Sequence, residues 1–141
     1  MNGIGKVEMI VPETTIDTNR HVNNVHYIQW MQDAALAHSA ALGWPQERYM
    51  NIGQTWIIRS HSIEYLQPTY AGDAISIFTW ITSMQKIRCL RKFKFFRPLD
   101  NITLATAATQ FVFCDIETGK PLPIPREVQN AYPIISKEEE P

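Results

Sequence analysis

Residues 17–45 read DTNRHVNNVHYIQWMQDAALAHSAALGWP, and this stretch decides the fold. Tyr27, Met31, Ala34, His38 and Ala41 recur on one helical stripe, which Ile28, Ala35 and Leu42 widen. Asn23 or Asn24 is a natural N-cap, because its amide oxygen can accept from an orphan N–H of the first turn. Gly43 stands where a left-handed residue ends a helix, and Pro45 follows it. The spacing therefore predicts one helix of about 18 residues, ~27 Å long. Residues 34–41 are mostly small, so this part of the helix can lie close to a neighbouring sheet. Tyr27, Trp30 and Met31 make the other end bulky, so the helix tapers and is half-buried along its length.

Outward from the helix the chain is β. Val7 to Val11 is a short apolar run that predicts a first strand, and Pro12 to Arg20 is a polar loop. After the helix, Trp56 to Leu66, Ala74 to Met84, Arg88 to Phe96 and Leu104 to Asp115 are rich in Ile, Phe, Thr, Val and Trp. Pro68 with Gly72-Asp73, Pro98 to Asn101, and Glu117 to Lys120 supply turns between them. Long strands joined by short turns pair antiparallel. An apolar helix beside such a sheet must be buried on one of its faces. The expected class is α+β: a curved antiparallel sheet wrapped around one long central helix. The domain is expected to span 1–128. Residues 129–141 are expected to form a frayed, solvated tail after the prolines that begin at Pro121.

At 141 residues, the chain is one domain of globular composition, 45% hydrophobic and 19% charged. A domain of this size leaves little room for a deep, closed pocket of its own. The net charge is -1 and the pI about 6.4, which removes the general electrostatic argument for nucleic acid or an anionic membrane as partner. No run approaches the ~20 apolar residues of a membrane span, and the N-terminus lacks the apolar core of a signal peptide. The chain is expected to be cytoplasmic. Cys89 and Cys114 are isolated, so neither a disulfide framework nor a metal knuckle is written here. His21 and His26 lack the spacing of a helical metal pair, so no metal site is expected. No G-x-S-x-G elbow, phosphate loop or dinucleotide fingerprint occurs.

The richest polar cluster is Asp17 to Asn24, directly before the helix. A helix start offers unpaired N–H groups and a partial positive charge, so a carbonyl oxygen placed there is polarised. A carboxylate, an amide and an imidazole beside it could activate and orient water. The plainer reading of the same residues is a hydrogen-bonded capping loop.

A resemblance bears on that choice. Asp17-Thr18-Asn19-Arg20-His21-Val22-Asn23-Asn24-x-x-Tyr27 resembles the signature of hotdog-fold thioesterases, in the 4-hydroxybenzoyl-CoA thioesterase-like and acyl-ACP thioesterase families. Ile63 to Pro68 with Gly72-Asp73, and Asp115 to Pro125, are similar to further segments of the family, so the likeness runs from about Val7 to Val128. It implies a hotdog domain, hydrolysis of an acyl-CoA or acyl-ACP thioester without a cofactor, and a homodimer or homotetramer with sites between protomers. It also implies Asp17, Asn19 and His21 as the catalytic group, with Asn24 and Tyr27 near the thioester. Many bacterial relatives carry Asp at the position of Asn19. Asn can hydrogen-bond water or a carbonyl but cannot act as nucleophile or base. His21 or an acid must then supply the base, with Asp17 nearest in sequence and Asp33 a weaker alternative. Two other readings stay open: a hotdog-fold enoyl-thioester hydratase or dehydratase, and a non-catalytic acyl-thioester-binding protein.

Six of the 13 Lys and Arg residues lie between Lys86 and Arg97, interleaved with aromatics. A strand with its charges in solvent explains this, as does contact with the carrier's phosphates, for which Arg88 and Arg91 are the candidates. His61 could face the substrate from a predicted strand, or be satisfied at the surface. His38, on the apolar stripe, is expected to be a core histidine.

Overall fold

The computed structural model describes residues 3–141. Strand β1 (Gly5–Ile10) leads through a single 3-10 turn, Glu13–Thr15, to helix α1 (Asn24–Ala41). A short helix α2 (Gln46–Ile52) precedes the strands β2 (Gln54–Tyr65), β3 (Ala74–Gln85), β4 (Arg88–Arg97) and β5 (Ile102–Asp115). Helix α3 (Arg126–Ala131) follows the sheet.

α1 begins and ends where its signals stand. Asn23 is extended, and its side-chain oxygen accepts the Val25 N–H at 3.1 Å. Gly43 adopts φ +95°, which lets the Trp44 N–H return to the Ser39 carbonyl at 2.8 Å. The buried face is Tyr27, Trp30, Met31, Ala34 and His38, whereas Ala41 is exposed. Burying each large member stabilises the fold by about 1.5–3 kcal/mol.

The sheet is wholly antiparallel, in the order β1-β3-β4-β5-β2. β3, β4 and β5 are consecutive hairpins. β1 adds to one side of them and β2 to the other. The β2–β5 ladder slips between Ile58 and Ser60, leaving Arg59 as a bulge near the middle of an edge strand. α1 lies across one face, against Ile75 and Ile77 of β3, Phe93 and Phe95 of β4, and Leu104, Ala105 and Ala107 of β5. This is the expected hotdog architecture.

Two features depart from the sequence reading. Gln46–Ile52 is a helix that the aromatic and polar run after Pro45 did not reveal. The C-terminal segment is not frayed. Pro125 starts α3, so the expected boundary at 128 falls inside a helix. Ile124, Val128 and Tyr132 are buried with Trp44, Tyr49, Ile81, Cys89 and Phe113 in a second core cluster, and Ile135 is also buried. Farther along, the Glu140 carboxylate accepts from Trp80 Nε1 at 2.9 Å and lies 3.3 Å from Lys92 Nζ. The apolar residues between the prolines give this segment enough buried surface to offset its ordering.

Candidate active site

Residues 16–23 form a tight hairpin held by backbone hydrogen bonds. Ile16 and Val22 form an antiparallel bridge, and the Asp17 N–H donates to the His21 carbonyl at 2.9 Å. The Asp17 Oδ1 accepts the Asn19 N–H at 2.8 Å, and the Arg20 N–H closes on the Asp17 carbonyl at 3.0 Å. Arg20 takes φ +67°, a left-handed conformation that costs a side-chain-bearing residue of order 1 kcal/mol. The hairpin is anchored by Val22 N–H to the Thr69 carbonyl and Asn23 N–H to the Thr15 carbonyl. Its tip presents Asn19 and His21 to solvent, with the His21 imidazole edge-on to Tyr70 at 5.4 Å. Asp17 is half-buried and its carboxylate shapes the loop.

The helix start is more occupied than an open oxyanion site. Val25 and His26 N–H groups are engaged by the side chain and carbonyl of Asn23. Asn24, exposed, keeps its N–H without such a bond. Tyr27 does not turn toward the loop tip. Its ring is buried against Trp30, Tyr65 and Phe95, its hydroxyl is paired with Thr69 Oγ1 at 2.7 Å, and burial pushes the phenol's pKa up. Thr69 thus binds Tyr27 through its side chain and Val22 through its carbonyl, which ties Tyr27 to the base of the loop.

A cavity of about 220 Å³ lies elsewhere. It opens between α1, from Met31 to Ser39, and the first half of β2, from Thr55 to His61. Met84, Phe93 and Phe111 supply much of its apolar wall. His61 sits at the wall, where its Nδ1 is 2.8 Å from Thr109 Oγ1. No residue of the Asp17–Tyr27 stretch lines it.

Arg88 and Arg91 separate completely. Along β4, Cys89, Arg91, Phe93 and Phe95 are buried, while Arg88 is exposed at the strand's start. Positions 88 and 91 differ by an odd number, so they point to opposite faces. Arg91 is 3% exposed, at the cavity wall. It is not a surface phosphate contact. Its Nη1 donates to His38 Nδ1 and to Thr79 Oγ1, both at 2.9 Å, and its Nη2 reaches Ser39 Oγ at 3.4 Å. His38 is the expected core histidine. Burial first, and Arg91 second, hold its pKa down to about 4, so it is neutral and accepts through Nδ1. Its Nε2 is buried, with the Gly3 backbone nearby. The ring also fixes residue 5 as glycine, because a Cβ there would come within 2.8 Å of it.

Sequence reasoning missed Ser39 and Tyr132 at this cavity, where Tyr49 and Trp56 also stand. A chain of hydrogen bonds joins them: Trp56 Nε1 to the Tyr49 hydroxyl (3.0 Å), Tyr49 to Tyr132 (2.8 Å), and Tyr132 to Ser39 Oγ (2.8 Å). They are brought together by α1, α2 and the C-terminal segment, which sequence spacing does not place. Among the described residues, no group of His, Cys, Asp and Glu could hold a metal ion, and no helix is long and apolar enough to cross a membrane.

Comparison with known proteins agrees with this architecture. The model of the thioesterase-like superfamily matches residues 11–132. The chain belongs to that superfamily, and its fold and family together place it among the thioester hydrolases. Among solved structures, a 1,4-dihydroxy-2-naphthoyl-CoA thioesterase from Synechocystis is 20% identical, with 92% of this chain and 95% of that one covered at a TM-score of 0.83. An acyl-ACP thioesterase from Bacteroides thetaiotaomicron is 18% identical, covering 99% of this chain and 57% of that one at 0.85. A protein from Staphylococcus aureus solved in complex with CoA is 15% identical, covering 93% and 82% at 0.85. A search of curated proteins finds no match to the sequence.

Proposed function

We propose that the protein hydrolyses an acyl thioester of CoA or an acyl carrier protein, as a homodimer or a pair of dimers whose sites are each shared between two protomers. The separation of loop and cavity is the observation that carries this reading. The cavity begins at Met31, about two turns past the helix start. Ser39 is ~22 Å along the axis from Asn24 at 1.5 Å per residue. One protomer therefore holds the polar loop and the acyl-sized space too far apart to use together.

β2 offers the way to join them. Its outer side pairs with no strand among the described residues, and Ile57, Ile58, Tyr65 and Leu66 are exposed along and beside it. A long, apolar edge of this kind pairs with another chain unless covered. Pairing β2 antiparallel with its own copy about a two-fold axis sets the start of one strand against the end of the other. The start lines the cavity. The end, at Tyr65, packs on Tyr27 at the beginning of α1, 5.1 Å between ring centroids. Self-pairing thus carries each protomer's loop toward its partner's cavity.

In such a site His21 takes a proton from the attacking water. The Asn19 amide and the Asn24 N–H hold the carbonyl oxygen as it gains charge. The tetrahedral intermediate collapses by breaking the C–S bond, and the leaving thiolate recovers the proton from His21. Asp17, through the Asn19 N–H, fixes the loop. Thiol release over a panel of acyl-CoA and acyl-carrier-protein thioesters, for wild type, Asn19→Ala and His21→Ala, tests this. Both variants should fall by ~10²-fold or more in kcat. Light scattering should give at least about 32 kDa, twice the 16.2 kDa of one chain. A fully active monomer, or variants as active as wild type, would overturn it.

A further inference from the structure

Arg91 is a buried cation with no anion. Among the described residues, no Asp or Glu lies within ion-pair distance of it, whereas the half-buried Arg97 holds both Asp73 and Asp100. Its other neighbours are neutral. His38 is unprotonated, and burial pushes the Cys89 thiol up to about 12 and the Tyr49 and Tyr132 phenols upward as well. Burial lowers the pKa of Arg91 itself, but a guanidinium stays charged at neutral pH. An unpaired buried charge is strongly destabilising, so such a group is retained where something compensates it.

The surroundings point the same way. In the chain from Trp56 through Tyr49 and Tyr132, each donor aims toward Ser39. The Ser39 oxygen accepts from both Tyr132 and Arg91, which leaves its own proton to donate. Both Arg91 and Ser39 line the cavity. Arg91 and Ser39 form a cavity floor that presents a positive charge and a hydroxyl donor, and no Asp or Glu lines the cavity.

We propose that this floor binds a carboxylate at the far end of the acyl group, so that the preferred substrates are thioesters of dicarboxylic acids. The inference rests on the thioester-hydrolase reading and adds the substrate class to it. A carboxylate accepts from both Arg91 and Ser39, and it supplies the missing counter-charge. A plain alkyl chain of the same length would leave the guanidinium unpaired. Sites built to pair a buried polar group reject analogues that lack the partner far more strongly than apolar pockets discriminate by size.

The test compares glutaryl-, adipoyl- and suberyl-CoA with pentanoyl-, hexanoyl- and octanoyl-CoA, so that the CoA part cancels. Wild type should favour the carboxyl-tailed member of each pair by ~10²-fold or more in kcat/KM. Arg91→Met should abolish or invert that ratio, chiefly through KM. Ser39→Ala and Arg91→Lys should lower it by smaller factors, and they carry the test if Arg91→Met does not fold. Calorimetric binding of free adipate against hexanoate reads the same floor without hydrolysis. Hydrolysis that favours the plain chains, with no adipate binding, overturns the inference and leaves the hydrolase reading standing. Adipate binding that Arg91→Met abolishes, with no thioester hydrolysed, upholds the anion site and overturns the hydrolase reading.

Discussion

A protomer with a disabled loop and a protomer with a filled cavity should together make an active enzyme. His21→Ala disables the loop. The His21 side chain is exposed and touches only the edge of Tyr70, so the fold should not suffer. Ala35→Trp fills the cavity, because Ala35 lines it from α1 and an indole would take up much of its 220 Å³. The overpacking costs about 1–3 kcal/mol, which a domain with a typical 5–15 kcal/mol of stability survives. Each homodimer then has two dead sites. In the mixed dimer, one site joins the altered loop to the altered cavity. The other joins an intact loop to an intact cavity. Refolding the two variants together at equal concentration makes half the dimers mixed, so activity should return to about one quarter of wild type. Mixed dimers isolated through two different affinity tags should reach about half. Thiol release from the best substrate of the panel is the assay. Isolated mixed dimers no more active than either parent would refute the shared site. They would mean that loop and cavity of the same chain act together, or that the cavity takes no part.

Two further outcomes follow from single contacts. His38 is held neutral in the folded protein, at about 4 against 6.5 when unfolded, so the unfolded chain binds more protons between those values. Stability should be complete above pH 6.5 and fall as pH drops toward 4, by up to roughly 3 kcal/mol. Denaturant unfolding at pH 7, 5.5 and 4.5 should show that slope, and His38→Asn, which keeps an acceptor for Arg91, should flatten it. An unchanged slope in the variant would assign the acid sensitivity to another group. Thr69→Val strands the buried Tyr27 hydroxyl and should cost about 1–3 kcal/mol, read as a lower denaturant midpoint at constant slope. Adding Tyr27→Phe should recover part of that loss, whereas strictly additive losses would show that the two hydroxyls do not depend on each other.

The helix was legible almost to the residue, because Asn23, the apolar stripe and Gly43 each act locally. The strands were legible from their β-branched and aromatic runs. The C-terminal segment was not, because prolines mask what Val128, Tyr132 and Ile135 do only after α2 and the sheet have built a surface for them. The loop was readable as a polar cluster before a helix, yet two of its residues changed meaning in three dimensions. Asp17 is turned inward by the Asn19 N–H, and Tyr27 is buried by aromatic neighbours from distant strands. Arg91 carried a signal that went unread: it keeps step with Cys89, Phe93 and Phe95, and a charge in an apolar alternation is an inward-facing charge. Ser39 and Tyr132 had no local signal, since what joins them to Tyr49 is the meeting of three separate elements.

The bulge at Arg59 acquires a meaning once β2 is regarded as a seam between copies. In an antiparallel seam, sliding the pairing by two residues moves one protomer along the other by about 6.8 Å. That slide would shift the loop tip along the cavity by the length of several methylene groups, while every side chain of both stays in place. Chain-length preference would then be set by a backbone offset in an edge strand, a ruler whose zero mark is the residue that fails to pair. In the proposed seam, a two-residue change of that offset would re-tune the enzyme for longer or shorter acyl groups without altering a single group that touches them.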